Sequence, residues 1–525
     1  MNHRTRISDW LFAAALCAFL FLWRLASFGL LGADEPRYAQ VAREMLATGD
    51  WVTPKLGGTA WLEKPPLYYW QALLCYRLFG VSDWAARLPA MADATILVFA
   101  VYYFLRRFQP GSARSGALLL ASTAGMVGYA RAASTDMPLS ASFTVAMLAW
   151  YSWFQTSTRA LLIGFYAAIA LAMLAKGPVA PFLAILILGL FLLREHNAKM
   201  ARDSLSLTGL LVFLLIAMPW YVLVQLRNPQ FFRVFVLQHN LARFASNMFH
   251  HPQPIWYYLP VTILGWIPCS IFVLLALSSG FRQFKSATRE GEPDRFLLIW
   301  ILVVVAFFSL SISKLPGYIL PALPPGILLI ARYLETRASQ KAGAALIILQ
   351  GLLTTGLVLA ALLLPYLLGP HQFHGGRMVV LPLVLATLAG AVVSLIFLRL
   401  GFKGLSLVTV IPAMLTVAIT LGLGAPAIEA TLSARSVANS LAGFAPGNLP
   451  VAVVLVPREI EFGLEFYRNQ IVPRYELGEV PAGEHLVVAR EGFRDAFSRD
   501  VRGRRILYLG SSPAQRLEFF YVSAR

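Results

Sequence analysis

Two short stretches combine residue types that can do chemistry. Gly32-Ala33-Asp34-Glu35-Pro36-Arg37-Tyr38 sets adjacent carboxylates beside a proline, a guanidinium and a phenol. Trp61-Leu62-Glu63-Lys64-Pro65-Pro66 has the same form: an acid, a cation, then proline. A carboxylate such as Asp34 can serve as a general base on an acceptor hydroxyl. Lys64 precedes proline and is therefore pushed towards extended geometry, which suits a cation held in place to meet an anion. Asp136, after Ser134-Thr135, is a second candidate acid. Arg37, Arg243 and Lys314 can join Lys64 in a phosphate-binding cluster. Glu35, Tyr38, Glu63 and Tyr318 are the neighbouring pocket candidates, Tyr318 standing four residues after Lys314.

Each of these residues also has a plainer reading. Asp34 and Asp136 can cap helices. Lys64 can snorkel at a membrane edge, and Arg37, Arg243 and Lys314 can be flanking cations. Lys176-Gly-Pro reads as a helix end, and Tyr318 as core packing. Glu63 and His239 are candidate ligands for a divalent metal ion, but HExxH or a comparable short pairing is missing. His239, His250 and His251 read rather as solvated loop histidines. No cofactor is otherwise indicated.

Something must hold these residues at one surface, and composition says what. The chain has 525 residues, 58% hydrophobic and 13% charged, with a mean hydropathy of +0.66. Soluble domains carry roughly 25% charged residues, so this is a polytopic membrane protein. The net charge of +18 does not call for nucleic acid, because Lys and Arg collect in loops on one membrane face. That face suits anionic membrane lipid. Cys17, Cys75 and Cys269 show no metal or disulfide spacing.

Apolar segments fall at about 10–31, 85–105, 113–131, 137–155, 160–175, 178–193, 205–226, 256–280, 296–313, 316–334, 342–368, 378–398 and 404–424. They predict about thirteen membrane helices. The first run lacks a small-residue cleavage site and is expected to remain as a helix. With a cytoplasmic N-terminus, alternate loops hold Arg106, Arg107 and Arg114, then Arg194, Lys199 and Arg202, then Arg282, Lys285, Arg289 and Arg295. The opposite loops hold about one cation each, such as Arg131, Lys176, Lys314 and Arg377. This places the candidate residues and the C-terminal region outside the cytoplasm. A transporter tends instead to place charges near the bilayer midplane.

Within 32–84, two helices too short to span are predicted to lie in the interface: Pro36 to Ala47, ending near Gly49, and Pro66 to Phe79, ending near Gly80. Residues 227–255 form an outer loop. Residues 1–425 are the membrane domain. Residues 426–525 read as a small accessory α/β domain, with strands near 451–456, 486–489, 505–509 and 517–522 and a helix over 458–469.

The order of motifs is more specific than any one of them. Asp-Glu-Pro-Arg-Tyr follows the first span, then come Gly49-Asp50-Trp51, Glu63-Lys64-Pro65-Pro66-Leu67-Tyr68-Tyr69-Trp70, Arg87-Leu88-Pro89, Ser134-Thr135-Asp136 and Ser313-Lys314-Leu315-Pro316. This series resembles the bacterial lipid A aminoarabinose transferase family, related to protein-O-mannosyltransferase-like glycosyltransferases. The resemblance implies a GT-C fold in the bacterial inner membrane, a polyprenyl-phosphate sugar donor, and lipid A or another glycolipid as acceptor. It implies that Asp34 is the essential first-loop aspartate and Lys64 the donor-phosphate lysine. Arg37, Tyr38, Glu63 and Asp136 match neighbouring pocket positions, and His239 with Arg243 a His-Arg loop. Two rivals stay open. One is another sugar, a uronic acid or hexose, passed to lipopolysaccharide core or protein. The other is a lipid-linked sugar transporter. The role of Asp34 also stays open, as base, acceptor positioner or binder of a sugar amine.

Overall fold

The computed structural model describes residues 3–242, 253–284, 288, 291–337, 339–369, 377–444 and 449–525. The protein is a multi-span helical membrane protein with a small C-terminal sheet. Among the described residues, seven helices are long and apolar enough to cross a bilayer. Ile255–Gly265 and Ser270–Phe284 make an eighth if taken as one span, but they meet at 115°. Helices occupy all the expected apolar segments, yet several are broken or short, so length and composition do not establish a count of thirteen.

One break has a clear cause. The segment expected at 113–131 is two helices, α5 (Ala113–Ala121) and α6 (Ala124–Ala130). Between them the hydroxyls of Ser122 and Thr123 donate to the carbonyls of Leu119 and Leu120, each at 2.9 Å. Such local bonds compete with the helical ladder. The freed N–H of Ala124 donates to Ile267 O, 2.7 Å away at the other bend.

Helix α1 (His3–Cys17) continues as a π-helical turn to Leu22. A helix end leaves carbonyls without partners. Here Arg131 fills the need, donating to the carbonyls of Leu20, Phe21, Trp23 and Arg24 at 3.0–3.3 Å. Arg131 is thus a buried brace and not a solvated loop cation.

Two helices follow α1 before the next span. In α2 (Asp34–Thr48), Tyr38, Val41, Ala42 and Met45 form one buried face. Gly49 ends it at φ +65°, a left-handed conformation glycine adopts without steric cost. Strands β1 (Lys55–Leu56) and β2 (Thr59–Ala60) form a small hairpin. Then α3 (Leu67–Phe79) buries Tyr69, Ala72, Leu73 and Tyr76 against α2 and ends at Gly80. The membrane helices that carry further candidate residues are α4 (Asp83–Phe108), α7 (Asp136–Thr156) and α8 (Arg159–Lys176).

The C-terminal sheet has strand order β3-β4-β6-β5, for Val451–Val454, His485–Arg490, Leu517–Val522 and Ile506–Ser512. β3 and β4 are parallel, and the other pairs are antiparallel. The helix Arg458–Arg468 connects β3 towards β4 and packs on α2. Its anchors are polar. Arg43 donates to Phe466 O at 2.7 Å, and Tyr467 donates to Asp83 at 2.8 Å while accepting from Leu30 N at 2.7 Å.

Candidate active site

The start of α2 sorts its two acids by direction. Glu35 points inward to Arg87 of α4, whose Nη2 lies 2.7 Å from Oε2. Arg87 also donates to the carbonyls of Leu25, Phe28 and Gly29 at 2.8–3.0 Å. It is 1% exposed. This buried cation, whose Nε and Nη2 both donate to Glu35 Oε2, fixes the chain between α1 and α2. With Glu35 anchored, the side chain of Asp34 faces outward and is 46% exposed.

Asp34 does not cap α2. The N-cap is Ala33, and no side-chain cap bond is made. Asp34 pairs with Arg37, one turn on. The Arg37 guanidinium lies over Trp61 at 4.9 Å, Tyr38 at 5.2 Å and Phe462 of the C-terminal region at 5.6 Å. Burial pushes the Tyr38 hydroxyl well above its usual pKa, and the charge of Asp34 adds to this.

Asp136 opens α7 and does not cap it either. It pairs with Lys176, the last residue of α8. Lys176 Nζ also sits 4.3 Å above the Tyr318 ring. The backbone at Gly317 closes this cluster. A Cβ there would lie 2.6 Å from Asp136 Cγ and 2.8 Å from the Tyr129 ring. Asp34 and Asp136 both act electrostatically on Tyr38 and on Tyr129. The charges of the two acids, about one hundred residues apart in sequence, thus both reach the same two phenols.

The charge of Glu63, like that of Asp34, acts on Arg37 and Tyr69. Lys64 is 9% exposed in the turn that leads into α3. That turn is backed by Leu62, Trp220, Phe231 and Phe235. The loop before it is clamped by the helix Leu207–Arg227 and the residue beyond. Trp220 donates to Val52 O at 2.9 Å, Arg227 to Asp50 at 2.9 Å, and Asn228 to Thr53 at 3.0 Å.

Within the expected outer loop, Phe232–Ala242 is a π-helix. It brings His239 Nδ1 to 3.6 Å from Glu63 Oε2. This is ion-pair range when His239 is protonated, but too long for a hydrogen bond. Among the described residues no three His, Cys, Asp or Glu side chains are grouped to hold a metal ion. Arg243, His250 and His251 lie outside the described residues.

Lys314 is buried, and its Nζ donates to the carbonyls of Ser311 and of Gln253, the latter at 3.0 Å. Burial lowers its pKa. It braces the chain that carries Gly317 and Tyr318. Of the sequence candidates, Asp34, Arg37 and Tyr38 lie together at the start of α2, with the charge of Glu63 acting on Arg37, and Asp136 and Tyr318 meet at Lys176, while Glu35 and Lys314 are engaged as braces. Lys176, Arg87, Tyr129 and Gly317 had not been singled out for the site. Lys176 stood among the few outer-face cations, and Arg87 in the Arg-Leu-Pro motif. Those were the available signals.

Known proteins share these features. Residues 63–222 match the dolichyl-phosphate-mannose-protein mannosyltransferase family. An undecaprenyl phosphate-alpha-4-amino-4-deoxy-L-arabinose arabinosyl transferase of Pseudomonas paraeruginosa is 34% identical over 368 residues, 69% of this chain. The chain spans 65% of that relative's length. A protein of the same name, numbered 2, from Pseudomonas fluorescens is 31% identical over 399 residues, covering 74% of this chain and 67% of that one. The fold matches the crystal structure of ArnT from Cupriavidus metallidurans bound to undecaprenyl phosphate, with a TM-score of 0.80, 23% identity and 97% of each chain covered. The apo form of that protein gives a TM-score of 0.77. The chain belongs to the undecaprenyl phosphate-aminoarabinose arabinosyl transferase family, with its GT-C membrane fold.

Proposed function

We propose that the protein is a glycosyltransferase moving 4-amino-4-deoxy-L-arabinose from undecaprenyl phosphate to lipid A. The observation that supports it most is that the charges of Asp34 and Asp136 act on the same two phenols, Tyr38 and Tyr129, in a chain 34% identical to a protein of that named activity. In the transfer, the bond from the anomeric carbon to the lipid phosphate oxygen breaks, and one to the acceptor oxygen forms. The leaving lipid phosphate gathers negative charge, which preorganised cations stabilise. Lys64 and Arg37 supply them, with Arg243 as a further cation. Asp34 faces the pocket as base, acceptor positioner or partner of the sugar amine. A phosphate acceptor, already nucleophilic near neutral pH, favours the last two roles.

The reaction is assigned to the periplasmic face of the inner membrane. The N-terminus is then cytoplasmic and the region 426–525 a periplasmic accessory domain. The loop charges support this orientation. Mass spectrometry of lipid A from cells with and without the protein tests the function. Aminoarabinose-modified lipid A should appear only with it, and an unchanged lipid A would reject the substrate assignment.

A further inference from the structure

A polar cavity lies at the end of α7 far from Asp136. It is about 640 Å³ and opens between α4, α7, the turn after Val179–Arg194, and the starts and ends of Glu292–Leu310 and Leu323–Glu335. Helix α7 carries Asp136 at its first residue and Tyr151 fifteen residues later, so the two sites stand about 22 Å apart along it. The transfer reaction has no use for a site there.

Its lining is rich in acceptors and aromatic rings. Glu292 accepts from Tyr151 Oη at 2.9 Å and Gln155 Nε2 at 2.6 Å, both on Oε1. No donor among the described residues meets its other oxygen. The remaining charges of the lining and its edge pair off. Glu195 takes two bonds from Arg295, and Arg332 binds Asp294. Glu292 therefore stands as a carboxylate without an ion-pair partner among the described residues. Gln109, 7% exposed, also lines the cavity, and its buried side-chain oxygen has no donor. The rings of Tyr151 and Phe296 stack at 4.7 Å, with Phe104 and Phe108 at 5.9 and 6.3 Å from Tyr151.

Two acceptor oxygens lacking donors, one of them anionic, beside aromatic faces specify a ligand that brings N–H donors and positive charge. We propose that this cavity binds a primary ammonium group, as carried by an aminophospholipid headgroup or a small free amine. The leucine side chains of its wall would take the methylenes of either.

The test uses the full-length purified protein and reads binding, not transfer, so its outcome is separate from the function proposed above. Native mass spectrometry compares phosphatidylethanolamine with phosphatidylglycerol of the same acyl chains. Ligand-observed NMR follows free ethanolamine. Wild type should retain phosphatidylethanolamine over phosphatidylglycerol, or bind ethanolamine, or both. A phosphatidylethanolamine preference without free ethanolamine binding assigns the site to the lipid headgroup, and the converse to small amines. Glu292→Gln should weaken amine binding about tenfold or more. Gln109→Leu, a milder change in a helix-end turn, should weaken it as well and serves alone if Glu292→Gln does not fold. The proposal is overturned if neither amine binds, or if a folded variant binds as the wild type does.

Discussion

The carboxylate of Asp136 is clasped by Lys176 from the end of α8 while the backbone of Gly317 lies flat against it. A side chain at 317 would enter the space of that carboxylate and of the Tyr129 ring. Gly317→Ala should therefore displace Asp136 and lower the rate of transfer at least tenfold, since small misplacements of site groups have large kinetic effects. The variant should still purify as a monodisperse protein. Transfer at the wild-type rate would show that Asp136 need not be held where it is.

Arg87 and Glu35 are both buried, and each is the other's partner. Removing one member of such a pair leaves an uncompensated charge, which costs roughly 3–5 kcal/mol. Arg87→Ala should lower the thermal unfolding midpoint of the purified protein markedly. Glu35→Gln, which keeps an acceptor oxygen, should lower it less. Equal midpoints for Arg87→Ala and wild type would contradict the bracing role.

The short helices Asp34–Thr48 and Leu67–Phe79 and the C-terminal sheet were legible in the sequence. Gly49 and Gly80 punctuate apolar periodicities, and the strands of the sheet are short apolar runs between polar turns. Hydropathy also located every apolar helix, but not the breaks. Ser122 and Thr123 divide one segment through hydroxyl bonds to carbonyls of the preceding turn, and an apolarity average does not register this. Within the site, Asp34 and Asp136 were readable as unexplained acids on one face. Their partners were less so. Periodicity says which face a residue occupies, not that Lys176 meets Asp136 from the next helix or that Arg87 collects the carbonyls of Leu25, Phe28 and Gly29.

Glu465 gives the junction between α2 and the C-terminal region a pH dependence. Burial, with the charges of Glu461 and Glu44, pushes its carboxyl up to about 8, and Arg474 opposes the rise. Its Oε2 is buried without a hydrogen-bond partner. The folded state therefore holds a proton that the unfolded chain releases near 4.5, the group's ordinary value. The resulting stability is full below about pH 4.5 and is lost as pH rises through about 8. Midpoints measured between pH 5 and 8.5 should fall more steeply for the wild type than for Glu465→Gln. Parallel curves would contradict this.

The orientation has a direct check. A reporter active only in the periplasm should work when fused after Arg525 and fail when fused near Lys285. The reverse pattern would place the candidate site in the cytoplasm.

Lys64→Ala should remove most transfer, because a desolvated phosphate that loses a charged partner costs about 1.5–3 kcal/mol. Lys64→Arg should restore only part, since the guanidinium differs in shape and reach. Near-normal transfer by a folded alanine variant would return Lys64 to a snorkelling role.

The most direct measurement is transfer from purified undecaprenyl-phosphate-linked aminoarabinose to lipid A by wild type and by Asp34→Asn. Asparagine keeps the size of the side chain and would cap a helix as well as aspartate does, so only the charge is tested. The wild type should transfer sugar, and a folded Asp34→Asn variant should be slower by about 10²-fold or more. A wild type that transfers nothing to lipid A, or a variant that matches its rate, would contradict the account.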